Sequence, residues 1–184
     1  MSVDPPRPTV FIEPGTIDDV DELDRLVGLL ADSLGERDGY RSTPRTFRRY
    51  GFGERRLFST LLAWPSVSGF DAGARSRKSA NLEGVSETKP RSACGACVYL
   101  PDYSTWRARP GVYILDLIVE PDWRRFGVGL ELLHQATRRG YDEWDADYVI
   151  LAVDHANTGA IRFYQRNGFT LSEKTGVMLA PISW

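Results

Sequence analysis

The stretch Ile114 to Leu130, ILDLIVEPDWRRFGVGL, decides the fold. With Val112 and Tyr113 before it, its opening is an almost wholly apolar run broken by Asp116, as expected of a strand covered on both faces and central in a sheet. That strand stops at Glu120-Pro121. A short basic turn follows, and Gly127 and Gly129 stand where a helix begins. Glycines there let the backbone approach a ligand closely, with N–H groups pointing outward. A helix N-terminus adds unpaired donors and the positive end of a dipole, together an anion site. Arg124 and Arg125 bring cationic charge beside it, so the expected occupant is a phosphate or diphosphate.

Three phosphate-binding patterns compete for this turn. A dinucleotide fingerprint needs G-x-G-x-x-G, but Leu132 holds the third glycine position and no acidic residue closes the following strand. The P-loop pattern is absent. What remains is R-x-x-G-x-G, read as Arg124, Arg125, Phe126, Gly127, Val128 and Gly129, which resembles the pyrophosphate-binding motif of the GNAT superfamily of acetyl-CoA-dependent N-acetyltransferases. Downstream, LAVDHANTGAIRFYQRNGF (Leu151 to Phe169) is similar to that superfamily's second motif through Asn157, Ala160, Phe163-Tyr164 and Gly168-Phe169. Tyr164 follows Asn157 by seven residues, about two helical turns, so the two share a face. Further upstream, DYSTWRARPGVY (Asp102 to Tyr113) and GFGE (Gly51 to Glu54) resemble the spermidine/spermine and thialysine N-acetyltransferase branch. One departure is visible: that branch carries a Glu-Asp pair in the central strand, and here the pair is Leu115-Asp116.

Around this centre the chain reads as an α/β domain over residues 9–184. Thr9 to Glu13 forms a first strand, and Thr16 or Asp18 can cap a helix whose apolar positions Val20, Leu23, Leu26, Val27, Leu30 and Leu34 recur at the helical period. Thr43 before Pro44 starts a second helix. Strands follow at Leu57 to Trp64 and Ala93 to Leu100. The central strand is succeeded by a helix from Gly127 to Gly140, a strand from Tyr148 to Val153, a helix from Asn157 to Asn167 closed by Gly168, and one or two strands from Thr170 to Pro181. The strand–helix–strand–helix order implies a largely parallel second half. Residues 65–91, rich in small polar and basic residues without a period, read as a flexible insertion, and residues 1–8 as a disordered N-terminus.

Composition narrows the function classes. A chain of 184 residues with 42% hydrophobic content supports one substantial core, and a formal charge of -2 offers no nucleic-acid footprint. No apolar run reaches the roughly 18–20 residues of a membrane span. Two cysteines give no disulfide framework and fit a reducing, cytoplasmic setting. Cys94 and Cys97 have the spacing of a redox pair, but on a strand an odd separation puts them on opposite faces, and no second pair completes a zinc site, so no metal is expected. His134, mid-helix, reads as a core or interface histidine. Trp106, Trp123 and Trp144 read as packing or dimer contacts.

The resemblance implies a GNAT fold: a mixed, mostly antiparallel sheet of six or seven strands, splayed near its centre, with helices on both faces. It implies acetyl-CoA as co-substrate, a homodimer, and transfer of the acetyl group to the primary amine of a small molecule such as a polyamine, diamine or lysine-like amino acid; the alternatives are a protein or peptide N-acetyltransferase and a catalytically silent CoA-binding regulatory module. Carried over by position from that family, the backbone groups expected to hold the pantetheine arm and polarise the thioester belong to Leu117, Ile118 and Val119. By the same resemblance, Arg124, Arg125, Phe126, Gly127, Val128, Gly129 and Leu130, with Asn157 and Ala160, are expected to hold the rest of the donor. Tyr164 is the candidate general acid, since a phenol with a pKa near 10 is protonated at neutral pH. Asp116, Glu54 and Glu36 are the candidate bases, Asp116 placed by strand parity on one face with Ile114 and Ile118. Glu54 and Glu36, the latter with Asp38 in the link after the first helix, are candidates for contacting a cationic acceptor.

Overall fold

The computed structural model of the protein describes residues 9–66, 92–172 and 177–181. The expected disordered N-terminus and all but the first two residues of the 65–91 insertion lie outside these residues. Pro65 and Ser66 belong instead to the sheet: Pro65 pairs with Val10, and the Ser66 amide donates to the Thr9 carbonyl at 2.8 Å.

The strands are β1 (Val10–Pro14), β2 (Ser59–Pro65), β3 (Gly95–Ser104), β4 (Arg109–Val119), β5 (Tyr148–Ala152), β6 (Thr170–Leu171) and β7 (Val177–Pro181), and the helices are α1 (Val20–Leu34), α2 (Pro44–Gly51), α3 (Val128–Trp144) and α4 (Thr158–Arg166). The seven described strands form one sheet in the order β1-β2-β3-β4-β5-β7-β6. Every neighbouring pair is antiparallel except β4 and β5. The parallel second half expected from element order is thus a single parallel pair, because β7 returns beside β5 in the opposite direction.

Two apolar clusters cover the sheet. One face holds Leu61, Ala63, Cys97, Tyr99, Val112 and Ile114 against α3 and α4, through Leu132, Leu133, Ala136 and Tyr164. The other holds Leu62, Trp64, Ala96, Val98 and Ile118 against α1 and α2, through Val20, Leu23, Leu26, Val27 and Phe47. The α1 stripe splits by role: its first four apolar positions are buried, whereas Leu30 is partly buried and Leu34 is 44% exposed. Gly35 ends α1 at φ 72°, and Glu36 N–H closes back on the Ala31 carbonyl, a left-handed stop that glycine adopts without a Cβ penalty.

One polar clamp ties α1 to the centre of the sheet. Arg25 donates to Glu120 Oε1 at 2.5 Å, to Glu22 Oε2 at 2.9 Å and to the Ala93 carbonyl at 2.6 Å, while Glu22 Oε2 accepts from the Ala93 amide at 2.8 Å. The end of β4 and the approach to β3 are therefore fixed to the same turn of α1.

Among the described residues no helix is long and apolar enough to cross a membrane. Where α3 crosses β4, an added Cβ on Gly140 lies 2.1 Å from Val112 Cγ2. Val112 is fully buried and its branched side chain is stiff. Gly→Ala in a helix ordinarily gains up to about 1 kcal/mol, but overpacking here costs roughly 1–3 kcal/mol. Gly140→Ala is therefore expected to lower the urea-unfolding midpoint, and a raised midpoint would contradict this close approach.

Candidate active site

The turn from β4 into α3 contains two left-handed residues two positions apart. Gly127 has φ 85° and Arg125, without glycine's freedom, has φ 69°, at a cost on the order of 1–2 kcal/mol. No side chain caps α3. Its first intrahelical bond runs from the Glu131 amide to the Gly127 carbonyl at 3.0 Å, so the amides of Val128, Gly129 and Leu130 have no acceptor among the described residues. A Cβ on Gly127 meets nothing within 4 Å, and one on Gly129 meets Val119 and Phe163 no closer than 3.5 Å. The glycines therefore supply the turn and the approach; they are not relieving a clash. Arg124 is pinned beside them by a 3.0 Å bond from Nε to the Val119 carbonyl.

Next to this turn the sheet opens. The β4–β5 pairing runs from Gly111↔Tyr148 to Ile114↔Leu151 and stops, although β4 continues to Val119. Its far edge, held by β3 through Gly95↔Val119, stays paired. The register also slips here: Val98 opposes Asp116 while Tyr99 opposes Ile114, leaving Leu115 as the extra residue of a bulge. The bulge corrects the parity expected for Asp116. Val112 and Ile114 face α3, Leu117 and Val119 pack on that same cluster, and Ile118 faces α1. Asp116 therefore shares a face with Ile118 and not with Ile114, because one inserted residue inverts a period-two pattern.

Burial pushes the Asp116 carboxyl up to about 6, since desolvation disfavours its charged form. Its charge contributes in turn to raising the Tyr40 phenol on one side of the sheet and the Tyr164 phenol on the other. Asp116 thus lies electrostatically between the two faces at the point where the strands part.

A cavity of about 950 Å³ fills the opening. Leu117, Ile118, Val119, Arg124, Arg125, Gly127, Val128, Gly129, Leu130, Asn157, Ala160 and Tyr164 all line it. Phe126 does not, and is 48% exposed. Asp116 is one residue behind the wall formed by Leu117. Glu36 and Glu54 are exposed and are not part of the lining. Tyr164 is buried against Phe163 and Phe169, with ring centroids at 5.1 and 5.3 Å. Burial, with smaller contributions from Cys97 and Asp116, raises its phenol well above the ordinary value. Asn157 has a structural duty as well: its side-chain oxygen accepts from the Ala160 amide at 3.0 Å and so caps α4.

Several liners were not singled out from the sequence. Leu30, Ser33 and Leu34 bring the C-terminal turn of α1 to the cavity, and Arg162 and Arg166 bring two cations of α4. The arginines share the i, i+4 spacing of a helix face, a signal readable in principle. The place of Leu30 and Leu34 on the cavity wall had no local signature.

The residues set aside behave differently from one another. Cys94 and Cys97 are both buried and free, and both belong to the α3-side cluster, not to opposite faces. Cys94 precedes the first strand residue, so strand alternation does not extend to it. Burial raises the Cys94 thiol to about 11 and the Cys97 thiol further. His134 is exposed on α3 rather than in a core. Trp144 packs on Tyr99 with centroids at 6.0 Å, whereas Trp106 is 98% exposed. Among the described residues no group of three or more His, Cys, Asp or Glu side chains could hold a metal ion.

This geometry has counterparts among solved structures. The fold is similar to that of an aminoglycoside acetyltransferase, meta-AAC0020, from an uncultured soil metagenomic sample, at 18% identity over 90% of this chain and 91% of that chain, with a TM-score of 0.61. It is similar to NAA60 of Arabidopsis thaliana in complex with a bisubstrate analogue, at 16% identity over 95% of this chain and 100% of that chain, TM-score 0.64. A third likeness is to a chain of the NatC complex bound to Gag peptide and CoA, at 18% identity, 95% and 99% coverage and a TM-score of 0.61. Identities this low speak for the fold alone. The sequence itself goes further, because residues 76–169 of the 184 match the acetyltransferase (GNAT) family. The chain belongs to that family of acetyl-CoA-dependent acetyltransferases.

Proposed function

We propose that the protein transfers the acetyl group of acetyl-CoA to the primary amine of a small molecule, by direct attack with both substrates bound. The observation that carries this reading is a single cavity lined by the unpaired β4 edge, the free amides of α3 and Tyr164. The Val128, Gly129 and Leu130 amides, with Arg124 and Arg125, suit the diphosphate of the donor. Backbone groups of Leu117 to Val119, released from β5, suit the pantetheine arm and the developing oxyanion; one oriented donor of that kind contributes roughly 3–4 kcal/mol.

The proton inventory supports the same chemistry. Asp116, ionised above about pH 6, accepts a proton from the incoming ammonium, directly or through a water. The freed amine attacks the thioester carbon, and the carbon–sulfur bond breaks as the oxyanion collapses. Tyr164, kept protonated by burial, donates to the departing thiolate, and the second proton of the attacking nitrogen, released as the amide forms, returns through water to the Tyr164 phenolate. The apolar wall of Leu30 and Leu34 beside Ser33 borders the acceptor end and suits a compact amine with a methylene body. Structural neighbours include acetyltransferases bound to the aminoglycoside sisomicin and to a peptide, so amine-bearing small molecules and peptides are both served by this architecture. Glu36 and Glu54 lie outside the cavity lining, and with the Leu115-Asp116 pair in place of two carboxylates this argues for an acceptor less cationic than a polyamine. Glu36 and Glu54 would act on it, if at all, from the rim. Assembly as a homodimer in the cytoplasm is part of the same proposal and awaits light scattering and fractionation.

Three outcomes are expected. Tyr164→Phe lowers kcat about 100-fold with CoA affinity unchanged, followed by thiol release and titration calorimetry; unaltered turnover would remove Tyr164 as the acid. Gly127→Asp abolishes CoA binding yet keeps the folded circular dichroism spectrum, because no atom crowds the position, although the left-handed φ of 85° lowers stability by about 1–2 kcal/mol; retained affinity would detach the turn from the diphosphate. For Asp116 the sign is set by its raised folded-state pKa: ionisation between about pH 4 and 6 weakens the fold, by on the order of 2–3 kcal/mol when complete. Asp116→Asn should therefore match the wild type in stability near pH 4 and exceed it at pH 8, while losing the rise of kcat/KM through pH 6. A variant less stable at pH 8 would refute this.

A further inference from the structure

The charge lining the cavity is unlike that of the whole chain. Against a net charge of -2 overall, the lining carries four arginines, Arg124, Arg125, Arg162 and Arg166, and one carboxylate, Asp154. That carboxylate is already engaged, since Asp154 Oδ1 accepts from the Ala156 amide at 2.8 Å within its own turn. The ion pairs among the described residues use Arg25, Arg37, Arg56, Arg109 and Arg138, and none of the four cavity arginines.

The four arginines form two pairs on different elements. Arg124 and Arg125 flank the free amides of α3, where one diphosphate exhausts the available donors. Arg162 and Arg166 stand one turn apart on α4, and like charges at that spacing work against a helix. The helix dipole favours Arg166 in the last turn but gives Arg162, in the middle, no comparable compensation. Two unpaired guanidiniums directed at a ligand cavity are matched by a second dianion, and a phosphomonoester carries about two charges and three acceptor oxygens.

We propose that Arg162 and Arg166 form a phosphomonoester subsite for the 3′-phosphate of the acyl donor, separate from the diphosphate site at α3, and that this subsite makes the enzyme selective for coenzyme A over its 3′-dephospho form. The inference rests on the donor reading given above and adds to it a specificity determinant on α4.

The test is titration calorimetry of wild type and the Arg162→Gln/Arg166→Gln double variant with CoA and with 3′-dephospho-CoA, which needs no knowledge of the acceptor. The wild type is expected to bind CoA roughly 10–100-fold more tightly than dephospho-CoA, and the double variant to bind both with the wild-type affinity for dephospho-CoA. Arg162→Lys/Arg166→Lys should restore part of the preference, since charge is kept while bidentate geometry is lost. Equal binding of the two ligands by the wild type overturns the subsite, a result that does not depend on any variant folding. So does a double variant that weakens both ligands equally, which would assign these arginines to the diphosphate. Failure of the wild type to bind either ligand would sink the donor reading itself, a result distinct from binding without discrimination.

Discussion

The parting of β4 from β5 after Ile114 is the constraint on which the rest of this molecule depends. An unpaired strand edge leaves backbone polar groups without partners and is a liability in a sheet interior. Here the edge survives because β3 holds β4 firmly from the other side along its whole length, and because the exposed groups open onto a cavity rather than into packed side chains. Once the strands diverge, α3 must begin at the mouth of the gap and α4 must close its other side. The unpaired β4 edge, the free amides of α3 and Tyr164 then converge on one cavity.

The bulge at Leu115 turns that opening into a site with two chemistries. Before it, even-numbered residues of β4 face α3; after it, odd-numbered ones do. The inversion turns Asp116 toward the α1 face, near Tyr40, while Leu117 and Val119 face α3 and α4 across the cavity. A regular strand would have put the carboxylate in the α3-side core, where burial without a partner is costlier still. The Arg25 clamp complements this arrangement by tying α1, one wall of the cavity, to Glu120 at the end of the same strand.

Much of this was legible in the sequence where the chemistry is local. Gly127 and Gly168 stand at left-handed φ that few other residues adopt, and Thr43 caps α2 through its side-chain oxygen, so residue identity alone points to all three. Family resemblance marked Tyr164, whose environment no short pattern reveals. What escaped depends on pairing between distant segments. The bulge exists only in the register of β3 against β4, so the face of Asp116 followed from neither strand alone. Leu30 and Leu34 continue the same helical stripe as Leu23 and Leu26, and nothing local distinguishes a core position from a cavity wall. The second half looked parallel because the return of β7 beside β5 is a tertiary choice that element order does not encode.

The chain's two thiols have a practical meaning for anyone measuring its chemistry. Cys94 and Cys97 are enclosed by the α3-side core, and burial keeps both protonated at neutral pH. Since the thiolate is the species that attacks disulfide reagents, a chromogenic disulfide added to the folded enzyme consumes neither residue appreciably. Colour development then counts free coenzyme alone, and a two-equivalent burst on adding denaturant provides an internal gauge of how much protein was folded.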